Sequence, residues 1–295
     1  MKYISCIFLK EETLQREKSP MDGVDYHTLE SALEYVEGLI KHGINDFLVF
    51  GSTQNKSIDY ACAEGLIKKF IGVVKGKFGD KVIIYADVGL SPYLSDGHSL
   101  VIVDGEVNIT KSYEEASKLA IAFAKAGADY ICPCLPIKNQ VKEIRNSLIE
   151  AGLSGTKIMG YSAKFASSLY GPYFKTVQSS RDGKAPYQYH IPQLNDKEAL
   201  QHIIEDIQQG ADIVMVKPAM LYLDIIYRAK QITKLPLSVY HVSGEYTMVK
   251  EACKTGMLDE KEAFDEIHSS FKRAGADFVI GYAPDHFIRW NKKVV

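Results

Sequence analysis

The chain has 295 residues, with 35 Lys+Arg against 37 Asp+Glu and a formal charge of −2, so no global field draws it to nucleic acid or an anionic membrane. Hydrophobic residues make up 46% and charged residues 24%, which excludes disorder as the main theme and supports a full core. The five cysteines (Cys6, Cys62, Cys132, Cys134 and Cys253) are too scattered for a disulfide scaffold, no apolar run reaches membrane-spanning length, and acidic residues stand where a signal peptide would be apolar. A soluble protein of the cytoplasm is expected.

Strands are expected at residues 3–9, 46–51, 82–88, 130–133, 157–162, 213–217, 237–242 and 278–282, with helices at 28–41, 60–77, 113–126, 141–151, 196–209, 223–233 and 261–274. The clearest long-range signal is a junction that recurs at Gly43, Gly127, Gly210 and Gly275. At each, a helical pattern ends on glycine, an acid follows, and a β-branched run begins. Strand runs such as DIVMV are apolar throughout, as burial on both faces demands. Eight βα units without a composition break predict one α/β domain over residues 1–295, a closed (β/α)8 TIM barrel. An open doubly wound sheet would put a glycine-rich phosphate turn after its first strand, and CIFLKEETL has none.

Two segments depart from short connections. HSLVIVDGEVNIT, with Asp104-Gly105 between alternating apolar residues, reads as a β-hairpin inserted after the third strand. Residues 165–195 form a long stretch rich in Tyr, Ser, Gly and Pro after the fifth strand. In a barrel such a stretch emerges at the C-terminal, active face and reads as a lid.

Lys217 is the most unusual residue. It ends the apolar run 213–216 and precedes Pro218, so its amine emerges at the barrel mouth on a poorly solvated stem. Desolvation disfavours ammonium and frees a neutral amine to attack a carbonyl as a Schiff-base nucleophile; a snorkelling lysine paired with an acid is the plainer alternative. Lys164, in IMGYSAKFASS, shifts the balance. It ends the neighbouring strand, and two ammonium groups one strand spacing apart repel each other, which favours a neutral amine in the pair. Cys132-Pro133-Cys134 cannot complete a tetrahedral metal site with two thiols and reads as strand-end filler, with Cys134 lining a pocket. His98, in SDGHS, is placed either to shuttle protons or to order its loop. Met220 and the stretch 222–226 read as helix core.

The strings YADVGLSPYLSDGHS, GYSAKFASSLYGPY, PYQYHIP, GADIVMVKPAMLYLDII, YHVSGEYTM and RAGADFVIGYAP resemble the porphobilinogen synthase (5-aminolevulinate dehydratase) family from about residue 85 to 284. The resemblance implies a barrel that joins two 5-aminolevulinate molecules into a pyrrole. It implies that Lys217 forms the Schiff base with the first substrate and that Lys164 is the second active-site lysine. Ser243 and Tyr282 match the pair that holds the first substrate's carboxylate, and two hydroxyl donors suit that task.

The half for the second substrate departs from the family. Its zinc or magnesium ligand positions read Gly89, Ser91 and Ser99, with Asp87 alone retained, so no metal is expected there. The serine–aspartate pair after strand four is Cys134-Leu135, the arginine that follows is Gln140, and the arginine expected in the lid is Phe174. Ala185 replaces a further basic residue; Gln188 survives, and Lys175, Arg181 and Lys184 are candidates to supply charge from shifted positions. The resemblance also matches Glu245 to a peripheral magnesium ligand, and whether a metal binds there is left open by the sequence; no cofactor is otherwise expected. The family's N-terminal arm, which supports an octamer, finds no residues here, and a homodimer is expected. Three functions therefore stand: a metal-independent porphobilinogen synthase-like lyase, a relative that condenses the first imine with a different second substrate, and a non-catalytic paralogue that binds 5-aminolevulinate.

Overall fold

The computed structural model describes residues 1–177 and 190–294. Eight parallel strands close on themselves, numbered here around the barrel: β1 (Lys2–Lys10), β2 (Asp46–Ser52), β3 (Ile83–Val88), β4 (Tyr130–Pro133), β5 (Lys157–Lys164), β6 (Ile213–Lys217), β7 (Leu237–Tyr240) and β8 (Phe278–Gly281). Closure comes from β8 pairing with β1, Lys2 against Phe278 through Ser5 against Gly281. All seven residues of β2 and all five of β6 are buried, because the strands face side chains within and helices without.

The recurrent junction has a physical basis. Gly43, Gly127, Gly210 and Gly275 all have positive φ, the left-handed turn that ends a helix where a Cβ is disfavoured. After Gly127, Gly210 and Gly275 the acid that follows then joins two neighbours, whereas Asp46 after Gly43 accepts the Tyr85 hydroxyl. Asp129 accepts the Ile84 N–H (2.7 Å) and a Lys75 ammonium bond (3.0 Å). Asp212 does the same for Ile158 N–H and Arg145 (both 2.8 Å), and Asp277 for Leu237 N–H (2.8 Å) and Lys230 (2.6 Å). Each acid thus starts the adjacent strand and anchors a helix to it.

Departures from expectation are local. The helix expected at 60–77 is two, Ile58–Ala63 and Leu66–Phe78, broken at Gly65, where any Cβ would lie 2.6 Å from the Ala61 carbonyl oxygen. Helices Ser243–Lys254 and Pro284–Val294 were not anticipated, nor was the small ribbon Glu17–Lys18 and Asp25–His27 beside β1. The hairpin forms as Ile102–Val103 and Glu106–Val107, and positive φ at both Asp104 and Gly105 makes it a type I′ turn. Within 165–195, a 3-10 turn Ser168–Tyr170 leads into the short helix Gly171–Thr176. Among the described residues, no helix is long and apolar enough to cross a membrane.

Candidate active site

In a regular strand, Tyr161 and Lys164 would face opposite sides of the sheet. Val214 of β6 pairs with Gly160, yet Val216 pairs with Ala163, so β5 carries one extra residue across that interval. This bulge turns Lys164 onto the same face as Tyr161 and sets it directly opposite Lys217. The two lysines end neighbouring strands at the mouth.

The Lys217 ammonium is enclosed by tyrosine rings rather than by an acid. Its Nζ lies 4.5 Å from the ring centroid of Tyr240, 4.9 Å from Tyr161, 5.2 Å from Tyr170 and 5.9 Å from Tyr173. Ring faces attract a cation but accept no proton from it. Burial is the main force that lowers the Lys217 pKa to about 8; the Lys164 charge pushes the same way, while Cys134 and Asp87 pull it back. The lysine backbone is pinned as well, since its carbonyl accepts Phe165 N–H (2.9 Å) and the Tyr170 hydroxyl (3.2 Å).

Lys164 points toward the second half of the mouth. Its Nζ donates to the Cys134 carbonyl at 2.9 Å and stands 3.5 Å from the Cys134 Sγ. Asp87 is buried close by and accepts the Tyr161 hydroxyl at 2.8 Å. Burial raises the Asp87 pKa, against the pull of Lys217, the Tyr161 bond and Lys164. Burial likewise raises Cys134, with the two lysines opposing it. A cavity of about 620 Å³ opens beside Lys164, between the loop that carries Leu135 and Gln140 and the loop that carries His190 and Pro192.

Ser243 and Tyr282 lie near Lys217 but have partners already. Ser243 Oγ accepts Tyr173 N–H (3.0 Å) and donates to the Leu169 carbonyl (3.2 Å), so it holds the segment that follows β5. The Tyr282 hydroxyl shares a 2.9 Å bond with Tyr240, which in turn reaches Cys6 Sγ at 3.5 Å. Tyr240, Tyr161, Tyr170 and Tyr173 went unmarked in the sequence. Their signal was present, three of them in the string that carries Lys164 and Tyr240 in YHVSGEYTM, but among 18 tyrosines nothing distinguishes a ring that faces an amine.

Other expectations find different places. Gln188, Lys184 and Arg181 lie outside the described residues. Lys175 is exposed. His98 sits in a turn closed by its own backbone N–H on Asp96. Cys132 is fully buried, and burial drives its thiol pKa well up. Gln140 spends its side-chain oxygen on Leu135 N–H (2.9 Å), and the Phe174 ring packs against Tyr170 and Tyr173. Both positions where the family has arginine are thus given to internal packing. Glu245 is fully buried, and its oxygens accept backbone N–H groups of Ala219, Met220 and Val242.

The segment from Gly89 to Ser99 does not fit zinc. Gly89, Ser91 and Ser99 offer no thiolate, carboxylate or imidazole, Asp96 and His98 of the same segment belong to no cluster of three or more such groups among the described residues, and a side chain at Gly89 would meet Asp87 Oδ2 at 3.1 Å. The adjacent thiol, Cys134, is held protonated by burial.

Comparison with known proteins places this geometry. A family model described as delta-aminolevulinic acid dehydratase matches residues 1–290. The delta-aminolevulinic acid dehydratase of Archaeoglobus fulgidus is 39% identical over 285 residues, covering 95% of this chain and 87% of that protein. That of Synechococcus elongatus is 38% identical over 286 residues, again covering 95% and 87%. Among solved structures, delta-aminolevulinic acid dehydratase (porphobilinogen synthase) from Toxoplasma gondii ME49, in complex with the product porphobilinogen, superposes with a TM-score of 0.93 at 34% identity. The match covers 98% of this chain and 84% of that one.

Proposed function

The chain belongs to the delta-aminolevulinic acid dehydratase family and is a lyase of that kind, and from this premise we propose that it condenses 5-aminolevulinate through an imine on Lys217 without a metal in the Gly89–Ser99 segment. The observation that carries the reading is the Lys217 amine, packed among four tyrosine rings, opposite Lys164, with its pKa lowered to about 8. At pH 7 about a tenth of such amines is neutral, enough to start catalysis in a site that orients the ketone.

The Nζ lone pair attacks the ketone carbon of the first substrate, the carbinolamine loses water, and a C=N bond remains on Lys217. Ser243 and Tyr282 take the substrate carboxylate, for which the Ser243 hydroxyl gives up its bond to the Leu169 carbonyl. Asp87, whose pKa burial raises, holds or accepts a proton between the two lysines. Lys164, with Cys134 and Asp87, receives the second carbonyl compound. Joining two 5-aminolevulinate molecules releases two waters in all and gives porphobilinogen. Gln188 and Lys184 are assigned to the second carboxylate.

One observation favours a second reading. Gln140 and Phe174 are committed to packing where the family places arginines, so a bidentate clamp for the second carboxylate is not built in register. A relative that condenses the same imine with a partner lacking that carboxylate would need no clamp.

Incubation with 5-aminolevulinate and borohydride, followed by digestion and mass spectrometry, tests the core of the proposal. A reduced adduct on Lys217 is expected; its absence would sink every imine version. Porphobilinogen formation at an equal rate with and without chelator is then expected. A loss on chelation that an added divalent metal restores would overturn metal independence, and an adduct without porphobilinogen would favour the second reading.

A further inference from the structure

The ladder between β6 and β7 ends at Val216 opposite Val239. Beyond it, the turn that follows Lys217 and the loop that presents Ser243 leave the sheet with no further strand bond between them. A His241 Nε2–Met220 Sδ contact at 3.2 Å crosses that gap between side chains, and one side chain ties the two backbones together. Glu245, fully buried, accepts Met220 N–H at 2.6 Å and Ala219 N–H at 3.1 Å on Oε1, and Val242 N–H at 2.8 Å on Oε2. Ala219 and Met220 lie just after Lys217-Pro218; Val242 immediately precedes Ser243.

No cation pairs with Glu245 among the described residues; its oxygens are held by backbone amides of two turns. A carboxyl buried without a counter-ion is costly, and a structural cap at one helix end would need only one of these bonds. Burial raises its pKa to about 7, with the amide bonds opposing that shift. On the β5 side the Lys217 carbonyl is already fixed by Phe165 N–H and Tyr170. Glu245 supplies the matching constraint on the β7 side.

We infer that Glu245 is a positioning residue for the imine-forming reaction, clipping the turn after Lys217 to the loop that carries Ser243 so that amine and carboxylate site keep a fixed separation. It touches no substrate. Its contribution is to the distance between the two groups that must grip one small keto acid at once, where an error of about 1 Å costs up to a hundredfold. The inference rests on the Lys217 imine reading above.

The test is Glu245→Gln. A glutamine keeps one acceptor but turns an N–H₂ group toward backbone N–H groups, so one turn is released. The readout is the rate at which borohydride traps the 5-aminolevulinate adduct on Lys217, as a function of substrate concentration, alongside the thermal midpoint. Asp46→Asn, a buried carboxyl at the opposite barrel end that accepts the Tyr85 hydroxyl at 2.9 Å, is the structural control. E245Q is expected to slow trapping about ten- to a hundredfold, mainly through weaker substrate binding, while D46N lowers the midpoint and leaves trapping within about twofold. Unchanged trapping in E245Q, or equal slowing in D46N, overturns the positioning role. If E245Q does not fold, Glu245→Asp serves: it keeps the charge, is one methylene too short to reach both turns, and must slow trapping likewise. An unmodified protein that traps no adduct overturns the imine reading itself, and this inference with it; trapping in the unmodified protein without a defect in the variant overturns only the inference.

Discussion

The two ends of the barrel treat charge in opposite ways. Where the strands begin, Asp129, Asp212 and Asp277 each meet a helix cation and a backbone N–H of the preceding strand in the barrel. Where they finish, Lys217 is buried among tyrosine rings, and the neighbour paired with it across the sheet is another lysine. The first arrangement contributes stability; the second withholds a partner from an amine, and that amine becomes reactive. The comparison breaks if both ends answer mutation alike. Lys217→Met is expected to abolish the trapped adduct and to lower lyase activity by about a thousandfold or more while the thermal midpoint holds or rises. Asp277→Ala is expected to cost about 1–3 kcal/mol in denaturant unfolding and to leave kcat within about twofold.

The pH dependence sharpens the contrast. The folded protein holds the Lys217 pKa at about 8, below the ordinary lysine value, so the unfolded chain binds more protons between the two values. This group's contribution to stability therefore grows as pH rises through that window, and the neutral amine fraction saturates above about pH 8. Trapping at subsaturating substrate is expected to fall about tenfold per pH unit below 8, and a profile flat from pH 6 to 9 would contradict a titrating nucleophile. Lys164→Met gives a smaller effect of defined sign. It removes a like charge that lowers the Lys217 pKa, so the profile must move to higher pH, with trapping at pH 7 reduced about two- to fivefold.

This division of charge also explains what could be read before the fold was seen. The four glycine junctions announced the barrel because a left-handed cap followed by an acid is a local device, repeated wherever a helix feeds a strand. The lysine pair was legible because an amine at the end of an apolar run is conspicuous in one dimension. Its setting was not, since Tyr161, Tyr170, Tyr173 and Tyr240 come from three segments that meet only when the barrel closes, and the β5 bulge that aims Lys164 is a two-strand property. The surroundings of Glu245 were hidden for the same reason. An acid in VSGEY resembles a ligand in sequence, whereas three dimensions surround it with the amides of two turns.

Cys134→Ser carries the smallest expected change and bears on the mouth alone. The strong contact of Lys164 is the Cys134 backbone carbonyl at 2.9 Å, which serine retains; the thiol stands farther off, at 3.5 Å, and burial keeps it protonated. If the second lysine is oriented by backbone, as the bulge orients it by register, C134S changes product formation by less than about threefold and moves the pH midpoint only toward lower pH, because Cys134 is among the groups that hold the Lys217 pKa up. If the thiol were a nucleophile or a metal ligand, the same substitution would remove activity, because a hydroxyl is a poor substitute in either role. A steady-state pH profile of the serine variant separates these outcomes, since a profile that persists with a lower midpoint and one that is erased cannot both follow from a lysine held by its neighbour's carbonyl.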